Sequence, residues 1–220
     1  MSVLSSEERQ RAQRLAFPHL RRHFLAAHGA MRRILAEYAQ CPPAALRFAA
    51  SSYGKPFLPD CPRLAFNLSH SGEVALLGVA QGSGSGSPIA LGVDIELCRP
   101  GTDFPSISAR YFSAAEQASL PDPQAEDYSC QFMRLWTRKE AVTKCLGTGL
   151  RTPLSHFTVP CDLAKSAQVI WHRETPSATL FVRELDINSY LGAPLNKDVY
   201  ASSLCASVPP EDICFFPPRP

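Results

Sequence analysis

The sequence has 220 residues, enough for one large domain or two intimate halves around a buried core. With 45% hydrophobic and 19% charged residues, 20 Pro and 12 Gly, it excludes a disordered tail, a coiled coil and a collagen-like rod. Its formal charge of +2, from 22 Lys and Arg against 20 Asp and Glu, gives no electrostatic basis for wrapping nucleic acid, so any anion site must be local.

In chain order, Glu7 and Glu8 stand where a secretory signal would need a basic start and an apolar run, and no later stretch has the length and apolarity of a membrane span. A soluble, cytoplasmic protein with no membrane partner is the expectation. The eight cysteines form no C-x-x-C pair and no zinc spacing, so free thiols are expected. Ser5 and Glu8 make a capping box for a short helix from about Ser6 that Pro18 stops. Leu20, Phe24, Ala27, Met31, Leu35 and Tyr38 recur at steps of three and four, predicting an amphipathic helix to about Gln40. Arg21, His28 and Arg32 fall on a neighbouring stripe, either a solvated flank or a row of cations.

Strands are predicted at 46–50, 63–68, 74–80 and 89–97, with Tyr53 to Pro56 as a turn and the Gly-Ser run 82–87 as the tip of a hairpin. Pro100 to Pro105 reads as a junction. Beyond it, Ser113 with Glu116 repeats the capping box, and a helix from about Glu126 to Leu146 ends at Gly147. Strands follow at 156–159, 168–172, 179–184 and 199–206, with a Pro-rich tail from Phe216. Each half thus supplies helix and then antiparallel strands. The expected fold is α+β, a pair of similar lobes at 1–100 and 101–220, each a long helix on a small sheet, forming one catalytic unit.

Three constellations carry possible chemistry. In Gly92-Val93-Asp94-Ile95-Glu96 two carboxylates alternate onto one face of an apolar strand, which suits a hard cation such as Mg²⁺ unless the strand is a solvent-facing edge. Trp136, Glu140 and Lys144 share a helix face by their spacing of four, as a chemical constellation or as an ordinary Glu to Lys pair. Lys139 lies on that helix's apolar stripe, where an uncompensated ammonium is unfavourable and a bound anion is the expected partner. Asn67 to Gly72 is a polar run at a strand end, able to hold phosphate or simply to turn.

Taken together, Gly54-Lys55-Pro56, Phe66-Asn67-Leu68-Ser69-His70-Ser71-Gly72, Gly92 to Glu96, and Phe132 with Trp136-Thr137-Arg138-Lys139-Glu140-Ala141 and Lys144 before Gly147-Thr148-Gly149-Leu150 resemble the Sfp-type 4′-phosphopantetheinyl transferases. Order and separation match over about residues 15–160. The resemblance implies a pseudo-dimeric monomer that binds coenzyme A between its lobes and moves 4′-phosphopantetheine to a serine of an apo acyl, aryl or peptidyl carrier protein. It further implies Asp94, Glu96 and Glu140 as ligands of Mg²⁺, with Mn²⁺ as substitute, Glu140 as base and Lys144 as pyrophosphate contact. Lys55, Ser69 and His70 would meet the 3′-phosphate, Lys139 would sit near the phosphates, and Arg21 and Arg32 near the nucleotide. The carrier is expected to dock near Phe112, Leu120 and Tyr128. The other readings are a binding module without catalysis and a different Mg²⁺-dependent phosphoryl or nucleotidyl transferase.

Overall fold

Ser5 caps the first helix as its spacing to Glu8 requires: Glu8 N–H donates to Ser5 Oγ at 3.2 Å and Ser5 N–H to Glu8 Oε2 at 2.8 Å. The computed structural model describes residues 3–82, 88–99, 103–161, 166–173, 179–191 and 199–209. Helix α1 (Ser6–Arg14) is followed by α2 (Pro18–Ala39), whose first turn holds Pro18, where a missing N–H costs nothing. Pro18 therefore opens a helix as well as barring the previous one. The middle of the α2 stripe, Met31, Leu35 and Ala36, packs on Leu46, Leu58, Leu64 and Phe66, while Leu20 and Tyr38 at its ends are exposed. Next come β1 (Ala49–Ala50) and β2 (Pro56–Phe57), paired around a turn in which Gly54 takes φ 84°.

Strands β3 (Leu64–Ser71) and β4 (Val74–Gln81) form an antiparallel hairpin, and β5 (Leu91–Leu97) follows. Helix α3 (Phe104–Tyr111) begins within what the sequence suggested was only a junction, because proline is tolerated in a helix's first turn. Then come α4 (Ala114–Ser119), with the expected capping box at Ser113, and α5 (Tyr128–Leu146), closed by Gly147 at φ 70°. Short strands β6 (Phe157–Thr158), β7 (Ala167–Gln168), β8 (Ile170–Trp171) and β9 (Phe181–Glu184) lead to α6 (Ile187–Leu191) and β10 (Tyr200–Ala206).

The hairpin expected between β4 and β5 does not form. The ladder partner of β4 is β3, and β5 instead pairs along its whole length with β10, Leu97 opposite Tyr200 and Leu91 opposite Ala206. The Gly-Ser run, from 83 onwards, and the Pro-rich tail lie outside the described residues. The resulting sheet has the order β5-β10-β9-β7, so a strand from the first half is built into the sheet of the second. Helix α5 covers this sheet. A Cβ on Gly92 would run into the Ala141 carbonyl and the Cys145 backbone, so helix and strand lie in direct backbone contact. Arg134 and Arg138 both bond the Glu184 carboxylate, at 2.7 and 3.1 Å, tying α5 to β9 as well. Beneath α5, Phe132 stacks between Phe104 and Phe112 with centroids 4.3 and 5.1 Å away. The mixed helix and antiparallel-sheet content agrees with the α+β expectation.

Candidate active site

The pleat of β5 sends alternate residues to opposite faces, so Gly92, Asp94 and Glu96 point toward α5. Gly92 lets the helix close on the strand, and Asp94 and Glu96 meet it farther along. On α5 the spacing of four brings Trp136, Glu140 and Lys144 to the same face. These five side chains, with Leu68, Ser69 and His70 of β3, line a single cleft of about 430 Å³.

Strand β3 reaches β5 through side chains rather than a backbone ladder. Asn67, Ser69 and Ser71 alternate onto one face: Val93 N–H donates to Asn67 Oδ1 at 2.8 Å, Ser69 Oγ to Asp94 Oδ1 at 2.8 Å, and Leu97 N–H to Ser71 Oγ at 3.1 Å. Ser71 Oγ in turn donates to Glu96 Oε2 at 2.9 Å. The polar run is thus a row of stitches that also orients both carboxylates. Asn67 and Ser71, expected only as part of a polar run that holds phosphate or turns, instead join β3 to β5; their period of two with Ser69 was the available signal.

Asp94 is 2% exposed, and its Oδ1 accepts a second bond from Lys144 Nζ at 2.5 Å, while Lys144 also donates to Ser69 Oγ at 2.9 Å. Asp94 Oδ2 is buried and, among the described residues, has no hydrogen-bond partner. Burial pushes the Asp94 carboxyl above its ordinary pKa despite the Lys144 ammonium and the Ser69 hydroxyl. Burial likewise raises Glu96, against the Ser71 bond, and raises Glu140, where the neighbouring Asp94 charge adds to it. The cleft therefore carries more potential negative charge than Lys144 can neutralise. Three hard oxygen donors and an idle, buried carboxylate oxygen fit a divalent cation of the Mg²⁺ type. Among the described residues no three acidic, His or Cys side chains already converge tightly enough to hold one, so the cation would have to gather them.

The remaining expected site residues lie elsewhere or are otherwise engaged. His70 is exposed and lines the cleft. Lys55 does not line it: its ammonium donates to the Leu91 and Cys145 carbonyls, both at 2.9 Å, and its stem packs against Gly147. Lys139 is fully buried, with its three donors directed to both Glu116 oxygens, at 2.8 and 2.7 Å, and the Phe157 carbonyl at 2.9 Å. The anionic partner its position demanded is a protein carboxylate, the same Glu116 that closes the α4 capping box. Arg32 is 2% exposed, bonding Glu8 at 2.7 Å and the Pro43 and Leu46 carbonyls, with its guanidinium 4.9 Å from the Phe48 ring. Arg21 is exposed and donates to the Leu15 carbonyl at 3.3 Å. The expected docking surface is also revised, since Phe112 and Tyr128 are buried and only Leu120 is half-buried.

Comparison with known proteins adds an independent line. A family model described as the 4′-phosphopantetheinyl transferase superfamily matches residues 90–197, and one described as 4′-phosphopantetheinyl transferase, N-terminal, matches residues 1–81. The 4′-phosphopantetheinyl transferase HetI of Nostoc sp. is 39% identical over 155 residues, 68% of this chain and 62% of its own length. The 4′-phosphopantetheinyl transferases ffp and Sfp of Bacillus subtilis are 31% and 28% identical, each over 215 residues, 97% of this chain and 87% of theirs.

Proposed function

The chain belongs to the 4′-phosphopantetheinyl transferase superfamily, and from that premise we propose that it transfers 4′-phosphopantetheine from coenzyme A to a serine of an apo carrier protein. The observation that carries the proposal is the meeting of Asp94 and Glu96 from β5 with Glu140 and Lys144 from α5 in one cleft. The carrier serine Oγ attacks the phosphorus that bears the pantetheine arm. An O–P bond forms there, the bond to the bridging oxygen breaks, and 3′,5′-ADP leaves with the electron pair.

Glu140 takes the serine proton, a role supported by its place on the cleft wall beside Asp94 and Glu96. Lys144 offsets the charge that develops on the leaving phosphate. Asp94, Glu96 and Glu140 would hold Mg²⁺, which when bound withdraws charge from the pyrophosphate. His70, with Ser69 behind it, is the remaining cleft residue suited to the 3′-phosphate; Lys55, Lys139 and Arg32 are dropped from the ligand set because two donors of Lys55, all three of Lys139 and three of Arg32 are directed to acceptors of the protein itself. The working unit in this reading is a monomer whose two lobes share β5. The seven described cysteines, all free thiols, accord with work in a reducing cytoplasm.

Incubation of an apo carrier with coenzyme A, Mg²⁺ and the protein should add one phosphopantetheine mass to the carrier serine, read by mass spectrometry. A carrier left unmodified under conditions where coenzyme A binds would favour a binding module instead.

A further inference from the structure

Asp94 presents two oxygens with opposite fortunes. Oδ1 accepts from both Ser69 and Lys144, and Oδ2, although buried, accepts from none of the described residues. The carboxylate is 3% exposed in its side chain, but Lys144 is 30% exposed and hangs on a flexible four-carbon stem. Of the two partners, then, the lysine is the one with a route to move. The groups facing the ammonium from the other elements are Asp94 and Glu96 of β5, Ser69 and His70 of β3, and, one turn back on α5, Glu140.

We infer that Lys144 is the resident counter-cation of this cleft, neutralising Asp94 in the cation-free protein and giving way when a divalent ion takes that carboxylate. The inference rests on the reading of the three carboxylates as a cation site. A divalent ion drawing on Asp94 meets an ammonium already in contact with Oδ1, and two cations in contact with one carboxylate oxygen repel each other strongly in a cleft of reduced dielectric. Binding of the ion and retention of the Lys144 to Asp94 contact are therefore opposed, and linkage makes the opposition reciprocal: whatever draws Lys144 away strengthens the ion's hold. The lysine released by the ion is then free within the same cleft. It acts as a cation in two successive positions rather than as a fixed phosphate clamp.

The test uses the intact protein without coenzyme A or carrier. Titration with Mn²⁺, followed by electron paramagnetic resonance of the free ion, should show Lys144→Met binding roughly tenfold or more tightly than wild type, with Lys144→Arg close to wild type because it keeps the positive charge. A second measurement needs no variant: reductive methylation of wild-type protein, mapped by peptide mass spectrometry, should modify Lys144 faster with saturating Mg²⁺ than without it, while buried Lys139 stays unreactive in both. Equal or weaker Mn²⁺ affinity in Lys144→Met, or Mg²⁺-independent labelling of Lys144, overturns the exchange while leaving the cation site standing. Absence of Mn²⁺ binding to both wild type and Lys144→Met overturns the cation site and the exchange together.

Discussion

Glu140 is the residue on which the proposed chemistry turns, because it joins the carboxylates of β5 from the opposing helix. Glu140→Gln keeps its size and hydrogen-bonding reach but removes the charge and the base. Turnover should fall by roughly 10²-fold or more, with coenzyme A affinity within about tenfold of wild type, as checked by steady-state kinetics and calorimetry. The exposed Glu7→Gln is the control. Near-normal turnover at saturating Mg²⁺ would reduce Glu140 to a helix-surface partner of Lys144. The same three acids set a pH dependence. Burial raises Asp94 above its ordinary 3.8 and Glu96 and Glu140 above 4.5, so the folded protein without a cation holds more protons than the unfolded chain once pH passes those values. Stability therefore declines as pH rises through that window and stays lower above it. A divalent ion, which prefers the ionised acids, should raise the Tm more at pH 8 than at pH 5. Equal increments at both would separate the ion's effect from these carboxylates.

At the scale of elements, α5 shows how a helix face can be legible while one of its residues is misjudged. The spacing of Trp136, Glu140 and Lys144 identified the cleft face, because helical periodicity is local. Lys139 is anomalous on the apolar stripe, but its partner, Glu116, lies on another helix, and no local pattern reports which anion will be brought to it. The outcome is a buried ion pair with all three ammonium donors satisfied. Lys139→Met should cost about 3–5 kcal/mol of stability, because it strands the Glu116 charge, while leaving coenzyme A affinity per folded molecule unchanged. Lost affinity at unchanged stability would return Lys139 to the phosphate site. Strand β3 carries the complementary lesson: by composition the polar motif from Asn67 to Ser71 suits a phosphate site or a turn. Its alternation with a period of two turned out to serve the neighbouring strand, which sequence separation hides. Helix α6 gave no periodic signal because its five residues are too few for one.

Over the whole molecule, the two halves anticipated from the order of elements are joined more closely than that order suggests. Residues 1–100 supply β5 to a sheet otherwise made by later strands, and Lys55 pins the turn before β2 to the Leu91 and Cys145 carbonyls. Local patterns found most of the strands, but they placed a turn where β2 forms, merged β7 with β8 and ended β3 near Leu68, and the pairing of β5 with distant β10 rather than nearby β4 is a non-local choice that they do not encode. Lys55→Met should destabilise the protein by about 1–3 kcal/mol, the cost of leaving buried carbonyls unsatisfied. The ratio of kcat/KM for coenzyme A to that for dephospho-coenzyme A should stay as in wild type. A collapse of that ratio would restore Lys55 as a 3′-phosphate contact. The β5–β10 ladder also governs when the pairing edge of the acidic strand is covered. Asp94 and Glu96 sit on a strand whose ladder partner leaves the ribosome long afterwards, and closing so wide a loop is slow. During synthesis the pairing edge of the acidic strand must wait, open to other strands, until β10 arrives to complete the sheet.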